Sequence, residues 1–538
     1  MASTQFDFSG FGTLGLATTN SKQFGYRNDM SLNDGVEYHK ADFSQVSNIG
    51  VQLHYKLTDD LDVVGQFIYR KQDENDLDGV TQLAFAKYRV TPKFDIRLGR
   101  TAIDVFHFSD VRDIGIAYPW VVLPNEVYGL VPNRHLEGAD VIYRSRINKV
   151  AFSSKLFWGE TKSDFSSSTF DPIDFSPLTG IKLELAQQQW IASARYTKTK
   201  AQNTSVGLGQ FIAALPSFSQ SIPSIGAIAK QIDFTNKDIN YKSIYGQYNW
   251  DQFELSGEWV HIDSGALPLD EIDNAFVNLS YQNKKHTFYV SYSLVKSDVY
   301  KFSETVIKPE LVQQIIFGIE EAISRFRHNQ NTISLGWRWD ITETTALKVQ
   351  WQNVNVDQRG GGLYKTDGFL TSTTKETFNN LFASVSFTFL MYLFKRTLKL
   401  IVFGIFLFIS SVYAVDSDKL VVVTNIKTPV ESVSKEELID LFMGRYVAFP
   451  NGASAKPLDV NDGSGIKEAF YRQLLGLSLG RVNSYWSRLR FTGKSQPPKQ
   501  IEDFKDVKEA IKTDNEVITY IYQSQMSESM KVVYQFEY

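Results

Sequence analysis

The sequence predicts a mainly β chain: a sixteen-stranded antiparallel transmembrane β-barrel over residues 1–390, followed by a small α/β lobe over residues 415–538. Three observations predict it. Aromatic residues make up 14% of the chain, with 26 Tyr, 39 Phe and 9 Trp, yet mean hydropathy is slightly negative. A membrane barrel needs that combination, because half of each strand faces water while the rims carry aromatic girdles. Segments of alternating polarity recur along residues 1–390. Their connections alternate between short turns and long loops, as in a barrel with turns at one rim and loops at the other.

The strands fall near 4–17, 46–57, 61–71, 79–90, 93–101, 136–146, 149–158, 178–187, 189–199, 238–250, 252–264, 271–283, 285–298, 330–340, 344–357 and 376–389. In "VQLHYKL", Val51, Leu53, Tyr55 and Leu57 take one face while Gln52, His54 and Lys56 take the other. "TISLGWRW" and "ALKVQWQ" alternate in the same way. Every second connection is turn-like ("TDDL", "TPK", "INK", "WDQ", "NKK", "TETT"). An even count brings the last strand back to the first. A large soluble β-protein would alternate too; the pattern of connections favours the barrel.

Composition also excludes chemistry. The chain has no cysteine, which removes disulfides, thiolate metal sites and cysteine nucleophiles. A net charge of −4 with no long basic block predicts no nucleic-acid partner. The 7 histidines lack zinc-ligand spacing. "DVNDGSG" is no calcium loop, because Gly463 and Phe470 stand where ligands belong. With no nucleophile–base constellation in view, no enzyme activity, metal or cofactor is expected.

The last strand, "LFASVSFTF", resembles the C-terminal strand of Gram-negative outer-membrane proteins. With sixteen strands and a long third loop, residues 1–390 look like a general diffusion porin. The resemblance implies an outer-membrane barrel among lipid and lipopolysaccharide, and a homotrimer. It implies that Phe389 ends an insertion signal read by the barrel-insertion machinery. It also implies that the third loop, 102–135, folds inward and narrows the pore.

A sixteen-stranded barrel leaves room for an aqueous channel. With apolar residues toward lipid, the lumen row of the early strands carries Lys56, Arg70, Lys87, Arg89, Arg97, Arg144 and Lys155, interrupted chiefly by Asp95 and Asp140. Charges at mid-barrel facing lipid would cost about 2–4 kcal/mol each. The third loop adds Asp104, Asp110, Arg112, Asp113 and Glu126, with His107 and Arg134 among them. Acids facing a basic wall would set a transverse field, and a cationic lining favours small anionic solutes. The alternative is that these charges pair and hold the loop, leaving a structural or adhesive barrel without an open pore. Of the other loops, "KPELVQQIIFGIEEAISRF" has helical spacing, and residues 207–231 are rich in Gly, Ser and Ala.

After Phe389 come Met391, three basic residues (Lys395, Arg396, Lys399), the apolar core "LIVFGIFLFI" and "SSVYA". That order predicts a signal peptide over 391–414 with cleavage after Ala414, in preference to a spanning helix. "ASTQFDFSGFG" after Met1 reads as a mature start, so the joint is expected to unite two neighbouring proteins and to place 415–538 in the periplasm.

In the lobe, "KLVVVTN" predicts a buried strand and "SKEELIDLFMG" a helix opened by a Ser434–Glu437 capping box. "AKPLDVNDGSGIKEAFYRQLLG" predicts strand, Gly-rich turn and helix. "RVNSYWSRLR" and "IEDFKDVKEAIK" predict helices, and "EVITYIY" a strand. Gly463, Ser464 and Gly465 would offer backbone amides and a hydroxyl to an anion at a helix N-terminus. The stretch resembles the periplasmic phosphate-binding protein of phosphate ABC transporters, and Ser464 and Gly465 match its phosphate loop. Val460 and Ile466 occupy that loop's arginine and threonine positions. The lobe is therefore expected to dock on the barrel turns rather than to grip phosphate.

Overall fold

A computed structural model of the chain describes residues 5–72, 76–163, 172–203, 206–220, 222–223, 225–266, 271–297, 310, 313–314, 316–317, 320, 327–366, 375–391, 418–446, 448–461 and 463–536. The predicted signal-peptide segment, apart from Met391 at the end of the last barrel strand, and most of the predicted helix near 308–326 lie outside the described residues. The described positions 310, 313, 314, 316, 317 and 320 are helical.

Sixteen strands form a closed barrel. They are β1 (Gln5–Thr19), β2 (Asn48–Lys56), β3 (Leu61–Arg70), β4 (Thr81–Thr91), β5 (Phe94–Ala102), β6 (His135–Ile147), β7 (Val150–Ser163) and β8 (Ile173–Ala186). The second half is β9 (Trp190–Lys200), β10 (Asp238–Trp250), β11 (Phe253–Asp263), β12 (Glu271–Asn283), β13 (His286–Ser297), β14 (His328–Asp340), β15 (Thr345–Gly361) and β16 (Glu376–Met391). Sequential neighbours pair antiparallel, and β1 closes on β16 from Phe8↔Met391 to Thr19↔Asn380. Within this ladder Gly10 lies opposite Phe389, and a Cβ on Gly10 would stand 2.2 Å from the Phe389 ring. Glycine is needed there because the terminal aromatic lies flat over the neighbouring backbone.

The faces are inverted relative to a soluble protein. Outward residues such as Leu14, Tyr69, Leu98, Trp158 and Ile244 are exposed, while inward Gln52, Gln66, Asn274, Gln350 and Asn380 are buried. Only an apolar solvent outside makes that arrangement favourable, and barrel closure leaves no unpaired edge in it. Aromatics gather toward the short-turn rim, including Phe94 with Tyr143 (ring centroids 4.7 Å apart) and Trp250 with Phe253 (5.6 Å). Asn148, Asp251 and Lys284 have positive φ in the short turns, as tight hairpins demand.

The predicted strands agree with the ladder to within a few residues, except around the seventh and eighth. There the pairing passes a bulge between Gly159 and Thr161 and continues to Ser163↔Ile173. The bulge shifts the alternation by one residue, so the period-2 signal stops before the strand does. Loop 201–237, irregular by its composition, carries two short helices, Val206–Ala214 and Ile225–Ile232. Ile222, Ile225, Ile228 and Ile232 bury there with Leu215.

The lobe holds a five-stranded sheet made of β17 (Leu420–Asn425), β18 (Lys456–Val460), β19 (Lys499–Ile501), β20 (Val517–Tyr522) and β21 (Met530–Gln535). The spatial order is β19-β18-β20-β17-β21. Pairs β18–β19 and β18–β20 are parallel; β17–β20 and β17–β21 are antiparallel. Helices α1 (Lys435–Phe442), α2 (Ile466–Leu475), α3 (Leu479–Phe491) and α4 (Phe504–Thr513) complete it. The Ser434–Glu437 capping box opens α1. Val422, Leu438, Phe442, Phe470 and Tyr520 centre the core.

Candidate functional site

The site is the barrel lumen, entered from opposite rims by two segments. The first is the loop after β5, which folds inward and buries Phe106, Phe108, Trp120 and Val127 against wall residues Phe276 and Tyr289. An apolar segment of chain inside a polar barrel must satisfy its backbone, and the wall does this. Lys348 donates to the carbonyls of Gly115 and Trp120, and Arg338 to those of Ile116 and Tyr118, both at 2.9 Å. Gln350 Oε1 accepts the amides of Val121 (2.8 Å) and Val122 (3.1 Å).

The loop charges fasten the loop to itself and to the wall. Arg112 donates to the carbonyls of Tyr128, Val131, Pro132 and Asn133. Asp113 pairs with Arg134 at 2.9 Å, and Arg134 also holds Asp29. Glu126 accepts from Ser293 and Gln330, each at 2.7 Å, and from Thr332. Asp104 pairs with Arg195 at 3.1 Å.

The seven cations of the expected basic wall share the inward parity, but each faces an acid, Lys155 standing 3.7 Å from Asp140. Arg97 grips Asp140 through two bonds of 2.8 and 2.7 Å. Lys87 meets Asp62 at 3.1 Å, Arg144 meets Asp95 at 2.6 Å, and Arg89 meets Asp95 at 3.7 Å. Lys56 lies 3.3 Å from Asp59, and Arg70 lies 3.9 Å from Asp113. One expectation is therefore corrected: Asp104, Asp110, Arg112, Asp113 and Glu126 do not face the wall across open water. Gln52, Gln66, Lys87, Arg97, Lys155 and Arg195 are all buried. Buried charges are tolerable only when paired, so they make contact instead of setting a field across a gap.

The second occupant comes from the short-turn rim. The C-terminal end of α3 and the following turn reach between the strands. Gln52 donates to the Arg490 carbonyl (3.0 Å), Gln66 to that of Phe491 (2.8 Å) and Arg97 to that of Thr492 (3.1 Å). These are carbonyls of the helix end, of which that of Arg490 also accepts the Gly493 amide at 3.0 Å, and the Arg97 guanidinium suits the negative end of the helix dipole. The Phe491 ring packs edge-on to Phe11 at 4.7 Å. Gly493 has φ +66°, and a Cβ there would meet the Phe85 ring at 2.3 Å. Lys494 binds Asp110 and lies 3.6 Å from Asp104, so the two occupants meet. At the rim Arg146 pairs with Asp440 (3.0 Å) and Lys149 with Glu436 (3.2 Å), and Arg481 binds Glu254.

Lys182, Arg195 and Glu258 lie beyond the predicted lumen row, which ends at the seventh strand, and Arg338, Lys348 and Gln350 stand on the polar face of "TISLGWRW" and "ALKVQWQ" with no role assigned. The same inward parity would find them. Arg488 and Lys494 stand in the sequence only as part of a helix and its end.

At the lobe turn, Gly463 and Gly465 adopt positive φ (80° and 81°). The Ile466 amide donates to Ser464 Oγ at 3.4 Å. Lys467 is engaged by the buried Asp459 at 3.3 Å. Burial raises the Asp459 carboxyl above its ordinary range, against the lowering effect of Lys467 and of hydrogen bonds from Tyr471 and Tyr520.

A closed ladder, an apolar exterior and a polar interior define a transmembrane β-barrel. No protein-family model and no curated protein matches the chain. Among solved structures it is similar to Salmonella typhi OmpF in complex with daunomycin, at 13% identity and TM-score 0.43, over 72% of this chain and 98% of that one. It is similar to an anion-selective porin from Comamonas acidovorans, at 11% identity and TM-score 0.41, over 72% and 100%. It is likewise similar to a loop-deletion form of OmpT, an outer membrane protein of Vibrio cholerae, with 11% identity, TM-score 0.41 and coverage of 72% and 100%.

Proposed function

We propose that the barrel is an outer-membrane diffusion channel for small hydrophilic solutes, leaning to anions, and that the lobe docks in its short-turn mouth as a stopper. The observation that carries this is the character of the two occupants. The in-folded loop is bolted to β14 and β15 through its backbone, whereas the lobe enters through side-chain pairs and three helix-end carbonyls. The second set can be released without unfolding the barrel.

On this reading residues 1–390 are the channel, a homotrimer as the porin resemblance implies. Phe389 is its insertion signal, and the wall from Lys56 to Arg144 tunes selectivity through incompletely neutralised pairs. The segment 391–414 is a signal peptide, and the lobe works from the periplasm. Docking is favoured over phosphate capture at Gly463–Gly465, because Lys467 is already held by Asp459.

The burial of the lumen row favours a second reading, a structural barrel with no open state. Liposome swelling decides between them. The unaltered chain should admit small sugars slowly and Lys494→Glu should admit them faster. Equal, background swelling by both assigns the barrel to a structural role.

A further inference from the structure

Where the lobe meets the barrel the two enclose a cavity of about 120 Å³. Its lining includes Arg144, Lys155 and Lys182 from the barrel, and Arg445, Arg488 and Lys494 from the lobe. The acids in that lining are Asp104 and Glu184. Both are already engaged: Asp104 by Arg195, and Glu184 by Lys182 at 3.0 Å. Lys155 stands 3.8 Å from Asp104 and 3.7 Å from Asp140, too far for a direct hydrogen bond.

Among the described residues, Arg488 forms no ion pair. Its guanidinium rests on neutral groups: His107 Nε2 at 2.8 Å, the His107 carbonyl at 3.0 Å and the face of Phe108 at 5.3 Å. Arg445 also donates to a neutral group, the Gln187 carbonyl at 3.4 Å. Surplus positive charge in a partly enclosed space is costly unless water or a counter-anion fills it. The space is large enough for several waters or for a small oxyanion. Guanidinium groups are suited to paired hydrogen bonding with such an anion.

We infer that this seam is a binding site for a small tetrahedral oxyanion, held jointly by barrel and lobe. The anion enters as a free solute. It supplies the counter-charge for Arg488 and Arg445, with Lys182 as a further donor beside its Glu184 partner, and so strengthens docking. This rests on the docking reading above, and it moves the anion site from the turn at Ser464 to the seam.

The test is calorimetry of the full chain with inorganic phosphate and with sulfate. Docking is followed in the same samples by zero-length carbodiimide coupling of Lys494 to Asp110 or Asp104. One anion per chain is expected, with affinity falling about tenfold in Lys182→Gln and in Arg445→Gln, as for loss of one charged hydrogen bond, while coupling persists. Coupling without anion binding overturns the seam site and leaves docking standing. Absence of coupling overturns docking and the seam site together. Binding that survives both variants but is abolished by Gly465→Asp places the anion at the lobe turn and overturns the inference.

Discussion

Arg488, on the last turn of α3, donates to His107 Nε2 at 2.8 Å, and this bond joins the two segments that fill the barrel. It requires an unprotonated ring nitrogen. The groups facing His107 enforce that state: burial first, then Arg488, Arg195 and Lys182, against Asp104, hold the imidazole well below its ordinary 6.5. Undocking removes Arg488 and some of the burial, so the pKa rises toward 6.5. The docked state thus binds fewer protons, and docking is at full strength above about pH 6.5 and weakens as pH falls below it. Carbodiimide coupling is itself pH-dependent, so the readout is protease sensitivity of the lobe–barrel seam, compared between about pH 7.5 and about pH 5 on either side of the ordinary histidine pKa. Greater cleavage at the lower pH is expected, and His107→Gln should flatten the difference.

Gly493→Val should weaken docking. The position combines left-handed φ with a Cβ path blocked by Phe85, and a β-branched residue tolerates neither. The φ strain costs the lobe some stability, while the Phe85 clash arises only in the docked state, so the lobe should keep its fold and lose docking first. Near-ultraviolet dichroism of the lobe unchanged, with faster conductance onset in the full chain, is the expected pair of results.

Arg97→Met should destabilise the barrel by about 3–5 kcal/mol, because Asp140 would keep a buried charge without its bidentate partner. The double change Arg97→Met with Asp140→Leu should recover much of that loss. Denaturant midpoints of the refolded barrel measure both, and a single variant as stable as the unaltered chain would show that Asp140 is hydrated.

Gly10→Leu should impair barrel closure. The added side chain would occupy the position of the Phe389 ring, on the one ladder that joins the first strand to the last. Heat-modifiable migration on gels should fall, and in barrel refolded in detergent, where the insertion signal is not read, Phe389→Ala should restore part of it.

The barrel was legible because period-2 alternation and turn chemistry are local signals, and both were strong in segments such as "TISLGWRW". The inward parity of Lys87, Arg97 and Arg144 was legible for the same reason. Their partners were less so: Asp62 and Asp140 sit on neighbouring strands, and register across strands is not written in one strand's sequence. The occupancy of the lumen was illegible altogether. Nothing in "SRLRFTGK" distinguishes a solvated helix end from one whose last carbonyls are capped by Gln52, Gln66 and Arg97. The strands Lys499–Ile501 and Met530–Gln535 were missed because the first is only three residues long and the second passes a register shift, opposite Val422 and Val423, that breaks its alternation.

Planar-bilayer recording tests the central claim most directly, that the lobe closes a channel from the short-turn side. The unaltered full chain should insert and stay mostly silent. The double variant Arg488→Glu, Lys494→Glu replaces the ammonium that holds Asp104 and Asp110 with a carboxylate that repels both. It should show steady openings with a reversal potential displaced toward anions under a salt gradient. Steady conductance by the unaltered chain, or silence in both, would contradict it.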